Sequence, residues 1–300
     1  MNSKIKGYAL GVLASVAYGT NPALALPLYN EGLDVMSVLL LRYMMALPVV
    51  LLLWRLTHGR SRLAESPRQA AGAFVLGILM VLSSITLFAS YLYMDVGVAS
   101  SLLFVYPLLV AIIMAMFFGE QLGIITVVCL VGACCGVAML CETSGSSVVT
   151  ATGILLVILS ALSYALYLVG VRLKPVVSLD SISLTVWVVS AGVVVLAVWC
   201  AVNGRLILPK SLLGWMCAFG LGLLPTLISL LCTNAAIDKI GSTATASLGA
   251  FEPVTAVFLG AVLFDERMSL MQYTGLVIVI VCVTMVIMRN RKRVGLQTVQ

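Results

Sequence analysis

An all-α integral membrane protein is the fold class this sequence predicts, with ten transmembrane helices in two inverted five-helix repeats and both termini cytoplasmic. Three observations predict it. Hydrophobic residues make up 62% of the 300 and charged residues only 9%, with mean hydropathy +1.17, far from soluble globular domains. Apolar runs of about 18 to 25 residues, the length that crosses a hydrocarbon core of roughly 30 Å, recur along the whole chain. Several marker residues recur at an offset of 146 positions.

The first predicted span, 7–29, follows Lys4 and Lys6 and lacks a small-residue cleavage site, so it reads as a retained helix, not a signal peptide. Spans two and three, 34–56 and 70–93, flank a basic loop containing Arg55, His58, Gly59, Arg60, Arg62 and Arg68; His58, the only histidine, reads as solvated. The fourth, 98–118, carries Pro107 and ends at Gly119-Glu120; the fifth, 123–141, holds Cys129, Cys134, Cys135 and Cys141 with the small-residue spacing Gly132-x3-Gly136. The sixth and seventh, 151–170 and 181–201, enclose Arg172 and Lys174. The eighth, 211–233, contains Gly220-x-Gly222; the ninth, 243–264, contains Glu252-Pro253; the tenth, 270–289, runs into the basic tail of Arg289, Arg291, Lys292 and Arg293. The connecting loops are too short for a soluble domain, so function must reside in the bundle. The eight cysteines form no CxxC pair and read as packing residues. The glycine spacings read as bundle packing, with a monomer or weak dimer expected.

With the N-terminus inside, thirteen of the 17 Lys and Arg fall on the cytoplasmic side, three outside (Arg205, Lys210, Arg267), and Arg42 lies within a helix. The positive-inside rule therefore places both termini in the cytoplasm. The net charge of +6 follows from this asymmetry and implies contact with lipid headgroups, with no nucleic-acid surface. Trp54, Trp187, Trp199 and Trp215 lie within about six residues of span ends, as interfacial aromatics do.

Gly7, Tyr18, Pro107 and Glu120 match Gly153, Tyr164, Pro253 and Glu266 at the common offset of 146, dividing the chain into units 1–146 and 147–300. Asp95 and Asp238 correspond with a three-residue difference. Five helices per unit make the second unit enter the membrane from the opposite side, the arrangement of alternating-access transporters with a site near the midplane.

The segments LLRYMMALP in the second span, FFGEQL closing the fourth and LGAFEPVTAVFLGAVLFDE in the ninth resemble those of the drug/metabolite transporter superfamily, in particular its ten-helix EamA-type members. The resemblance covers nearly the whole chain. It implies export or exchange of small metabolites such as amino acids through a central cavity lined mainly by helices 1, 3, 4, 6, 8 and 9.

Arg42 and Glu252 are the formally charged residues deep within predicted spans. At about 1.5 Å per residue both fall near the midplane, where a charge is costly unless paired, hydrated or neutralised. Glu252 has three roles open to it: holding a substrate ammonium group, pairing with Arg42, or carrying a proton. A structural ion pair or a protonated, hydrogen-bonded Glu252 is the alternative. Pro253 removes a backbone donor and is expected to free the carbonyl near Gly249; Pro107 does the same beside Tyr106, the counterpart of Glu252, and Asn21-Pro22 is placed to break the first helix in the same layer. Each proline also fits a simple packing kink. Tyr18, Tyr164 and Tyr167 suit a cavity for an amphipathic organic solute. Ser84, with Ser83, Ser100, Ser101, Thr245 and Ser247, offers hydroxyls that also serve ordinary interhelical packing. The substrate-binding candidates are therefore Tyr18, Asn21, Arg42, Ser84, Tyr106, Tyr164, Tyr167 and Glu252.

No Walker motif, GxGxxG pattern or metal-ligand cluster occurs, so no cofactor is expected. The leading reading is a secondary transporter of a small organic metabolite, outward across a bacterial inner membrane. A membrane-embedded enzyme would need paired acid/base or ligand residues at membrane depth, and one carboxylate with one arginine do not supply them. A non-transporting accessory or receptor protein is the other alternative.

Overall fold

The structure, a computed structural model, describes residues 3–59, 63–94, 99, 102–120, 123–140, 150–174, 176–264 and 269–297. Among these every regular element is helical. The first predicted span is two helices, α1 (Ser3–Gly19) and α2 (Asn21–Asn30), with Thr20 between them and Pro22 in the first turn of α2. Spans two and three are α3 (Val35–His58) and α4 (Pro67–Ser90). In the fourth, the described helix is α5 (Tyr106–Phe118), and the fifth is α6 (Ile124–Leu140). Then follow α7 (Ala151–Gly170) and α8 (Ser181–Asn203), joined by a short 3-10 turn at Val176–Ser178. The eighth span is α9 (Leu212–Leu221), a π-helical segment (Gly222–Ile228) and α10 (Ser229–Ile240). The ninth breaks into α11 (Ser242–Leu248) and α12 (Phe251–Phe264), and the tenth is α13 (Leu270–Gln297).

Capping explains where several of these helices start. Asp34 accepts from the Ser37 amide, and Asp180 from the amides of Ile182 and Ser183, so two carboxylates 146 positions apart in sequence each satisfy orphan donors at a helix start. Ser66, Thr150 and Ser211 cap α4, α7 and α9 in the same way. Gly204, at φ 60°, closes α8 in the left-handed conformation that a side chain disfavours.

Six helical stretches are long and apolar enough to cross a membrane: Ser3–Asn30, Val35–His58, Pro67–Ser90, Ala151–Gly170, Ser181–Asn203 and Leu212–Ile240. Tyr106–Phe118, Ile124–Met139 and Tyr273–Cys282 are shorter apolar stretches. The chain is a multi-pass membrane protein, and its many exposed Leu, Ile, Val and Phe side chains fit a lipid-facing surface.

The two halves interlock. α1 packs on α10 while its counterpart α7 packs on α4; α3 pairs with α8, and α6 with α13. Two glycines set the closest approaches. A Cβ at Gly77 would press on Ala191 and the Val188 backbone, and one at Gly222 on Met45, the Arg42 carbonyl and the Ala46 amide. Val188 and Ala191 stand 146 positions after Arg42 and Met45, so one contact repeats the other with the halves exchanged. Without a hydrophobic difference between helix and lipid, such small-residue approaches are what hold helices together. Gly132 and Gly136 likewise face Cys282 and the Gly275 carbonyl on α13, so this glycine pair is used inside the chain. Among the described residues, Cys134, Cys135, Cys200, Cys217, Cys232 and Cys282 are free thiols. Cys141, like Ser100, Ser101, Asp95, Glu266 and Arg267, lies outside the described residues.

His58 is more engaged than expected. Its ring stacks near Trp54 with centroids 6.1 Å apart, its Nε2 lies 3.5 Å from Asp180, and its Nδ1 lies 2.8 Å from the Thr57 hydroxyl.

Candidate functional site

Three helix interruptions meet at one depth: Thr20 between α1 and α2, Phe104-Val105 before α5, and Gly249-Ala250 between α11 and α12. They put Tyr18, Asn21, Tyr106 and Glu252 beside one another. The Tyr106 hydroxyl donates to Glu252 Oε1 at 3.2 Å. The Tyr18 and Tyr164 rings lie nearly parallel, at 11°, with centroids 6.4 Å apart. Each of these two contacts joins residues separated by 146 positions. A residue touches its own repeat mate only on the axis that exchanges the repeats, as in an isologous interface. That axis therefore passes through both contacts. Tyr164 also meets Tyr106 edge-on at 4.7 Å and Tyr167 face-on at 6.2 Å.

The expected freeing of the Gly249 carbonyl does not occur, because the Glu252 amide turns back and donates to it at 2.9 Å in a tight i to i+3 bond. What the break supplies is space. A Cβ at Gly249 would overlap the Tyr106 hydroxyl, and one at Gly19 would overlap the Glu252 carbonyl oxygen.

Two chambers share the Tyr106–Glu252 contact as a common wall. The wider, about 420 Å³ of empty space, is lined by Tyr18, Asn21, Leu87, Phe104, Tyr106 and Glu252 among others. The narrower, about 220 Å³, is lined by Gly11, Ser15, Tyr164, Thr233 and Thr245 as well as Tyr106 and Glu252. Along the first span the narrow chamber touches residues 11 and 15 and the wide one residues 18 to 22; along the ninth the order is 245 and 246, then 252 and 253. The chambers thus follow one another along the bundle axis.

Arg42 is fully buried, at 0% exposure, and stands behind this wall, outside the lining of either chamber. Its Nε donates to Thr226 Oγ1 at 2.5 Å, its Nη2 to the Pro225 carbonyl at 3.2 Å and its Nη1 to Asn21 Oδ1 at 3.3 Å. The rings of Tyr18, Tyr43 and Phe88 lie within 6 Å of the guanidinium, a cation–π arrangement. Among the described residues no carboxylate comes within 4 Å of it, so Arg42 and Glu252 do not form a direct ion pair. The π-helical turn, where Pro225 cannot donate, turns the Thr226 hydroxyl and the Pro225 carbonyl toward Arg42; Thr226 itself donates to the Leu221 carbonyl at 2.8 Å.

Tyr167 donates to Asn234 at 2.7 Å, and Asn234 in turn to Thr185 at 3.2 Å. Ser84 bonds the Tyr43 hydroxyl at 3.2 Å. Neither Tyr167 nor Ser84 lines a chamber. Tyr18, Asn21, Tyr106, Tyr164 and Glu252 do. Sequence reasoning missed Thr226, Thr233 and Asn234, although a signal existed: buried polar residues at 226, 229, 233 and 234 repeat with helical period along an otherwise apolar span.

The sequence profile of the EamA-like transporter family matches the chain twice, over residues 5–141 and 151–288. The two matches begin 146 positions apart. A protein of known crystal structure superposes with a TM-score of 0.81 at 17% identity, covering 96% of this chain and 99% of its own, which shows a shared fold. No curated protein matches the chain.

Proposed function

We propose, since the chain belongs to the EamA-like transporter family, that it is a secondary transporter moving a small organic metabolite by alternating access. The observation that carries this reading is the pair of chambers sharing the Tyr106–Glu252 wall, built where the repeats exchange. Two equivalent halves around a central barrier supply two conformations of similar energy, one with each chamber open. In the proposed topology the bundle has ten spans as two inverted five-helix repeats, with both termini cytoplasmic, which puts the wide chamber on the outer side. Export across a bacterial inner membrane, and an amino-acid-sized substrate, follow from the family resemblance and from a site lined by tyrosine rings with one carboxylate.

Flux is the test. Purified protein in liposomes is expected to exchange a radiolabelled solute saturably. Glu252→Gln keeps the shape but can neither carry a charge nor take up and release a proton, so it should fold normally and transport at least tenfold more slowly. Equal rates and equal pH profiles for wild type and Gln variant would make Glu252 a neutral structural group and remove the central role given to the shared wall.

A further inference from the structure

Beyond the narrow chamber, toward the end of the bundle where α1 starts, the two halves close on one another. One turn before Gly11, a Cβ at Gly7 would press on Lys239 and Ile240 of α10, so this contact is packed shut. A second contact at that end is polar. The Thr243 hydroxyl, on α11 and only 5% exposed, donates to Glu120 Oε2 at 2.8 Å and so joins the second half of the chain to the first. Thr245 and Ala246, on the wall of the narrow chamber, follow Thr243 within one turn. Each partner is held in place by its own half. Gly119, at φ 63° in the left-handed conformation, ends α5, and the Glu120 amide bonds back to the Met114 carbonyl at 3.2 Å, so the chain turns there and Glu120 reaches α11. Ser242, beside Thr243, donates to the Leu168 carbonyl of α7 at 2.7 Å.

We propose that the Glu120–Thr243 bond is the latch that holds the narrow chamber closed at this end, and that it must break before the chamber can open there. This rests on the alternating-access reading and adds to it the residues that gate one of the two conformations. The repeat is the reason for choosing this contact. When the halves trade conformations, a contact between repeat mates such as Tyr18–Tyr164 or Tyr106–Glu252 is carried onto itself and can persist throughout. Glu120 and Thr243 are 123 positions apart, not 146, so their bond is free to exist in one conformation and be absent from the other. Two further bonds join the halves near that end, Trp54 to Ser183 at 3.1 Å and Gln69 to Ser178 at 2.9 Å. They tie α3 and α4 to α8 and the turn before it, none of which lines the narrow chamber. A hydroxyl on a carboxylate suits a latch. Glu120 is exposed, so the charged acceptor is strong enough to favour one state, and water takes the place of the hydroxyl at little cost when the bond opens.

Ser15 lines the narrow chamber, so Ser15→Cys reports its opening. The experiment follows the reaction of this cysteine with an impermeant thiol reagent, in the full chain without its native cysteines and in membrane vesicles of both orientations. Thr243→Val keeps the shape and loses the hydroxyl; Glu120→Ala loses the acceptor. Each should raise the rate of labelling from the side where α1 starts roughly fivefold or more, as the loss of one hydrogen bond to a charged group allows, and the double variant should do no more than either alone. Glu120→Gln, which keeps an oxygen acceptor without the charge, should fall between wild type and the Ala variant. If the Val or Ala variant fails to fold, Thr243→Ala or Glu120→Gln carries the same comparison. A lowered Tm with unchanged labelling makes the contact merely structural and overturns the latch. So do effects of the two variants that add, labelling that rises from the opposite side, or no labelling from the α1 side in any variant. The readout needs no solute, so liposome flux judges the transporter reading separately.

Discussion

Glu252 and Tyr106 show how far single residues could be read. A carboxylate beside a proline in an apolar run marked the candidate site, and alignment of the repeats made Tyr106 its counterpart, yet the sequence held no sign that the two would touch. That contact depends on Gly249, whose missing side chain leaves room for the tyrosine hydroxyl. Arg42 was equally legible as a midplane charge, but its partners were not, because Thr226 and Pro225 reach it only through a π-helical turn that no residue pattern announces. Outside the membrane-spanning segments, Glu31 illustrates a different residue-scale device. It accepts from the Ser211 hydroxyl and from the Lys210 and Ser211 amides, tying the end of the first span to the start of α9. These bonds, the Ser211 hydroxyl first, hold its carboxyl below the ordinary 4.5. A depressed folded-state value means that the stabilisation is present above pH 4.5 and is lost as the pH falls through the folded value. Melting curves from pH 7 to 3 should therefore show wild type above Glu31→Gln at neutral pH, with the gap closing below pH 4.5; a gap independent of pH would assign the stabilisation to shape alone.

At the scale of elements, the spans with strong apolar runs and clear polar ends were read well: 151–170 against Ala151–Gly170, and 34–56 against Val35–His58. The eighth was read seven residues short, ending at 233 against Ile240, because the helix runs on through the buried Asn234 and the polar Asp238 and Lys239, which lower the hydropathy without ending the helix. The break in the first helix was legible from Asn21-Pro22, since proline ends the backbone ladder whatever its surroundings. The π-helical segment was not, although Gly222 lies at its start. This glycine predicts a measurable asymmetry within one turn. A methyl at Gly222 would meet backbone atoms of Arg42 and Ala46, which cannot step aside, whereas one at Gly220 would meet only the flexible end of Leu24. Overpacking of the first kind costs about 1–3 kcal/mol. Gly222→Ala should lower the Tm in detergent clearly and disturb Arg42, while Gly220→Ala should stay close to wild type; equal effects would mean that α3 and the eighth helix approach less closely than the structure has them.

For the whole molecule, the exchange of halves links what the sequence repeats to what the bundle does. Contacts between α1 and α10 recur as α7 against α4, and the self-matched pairs Tyr18–Tyr164 and Tyr106–Glu252 lie where the halves meet, so in the alternating access proposed above one end would close and the other open by the two halves trading conformations. The two halves depart from symmetry: the first helix is broken at Thr20 while α7 continues through the matching position, and one chamber is wider than the other. Which chamber faces the cytoplasm rests on the distribution of Lys and Arg, and it can be measured. Glu65 and Val177 are exposed in the loops before α4 and α8, and Arg205 is exposed in the loop after α8. In a background without the native cysteines, Cys at 65 or 177 should resist an impermeant thiol reagent added to intact cells and react after permeabilisation, whereas Cys at 205 should react at once. External labelling at 65 and 177 with protection at 205 would invert the molecule. The wide chamber, with Asn21 on its wall, would then open to the cytoplasm, and the same geometry would describe the loading state of the proposed exporter instead of its release state.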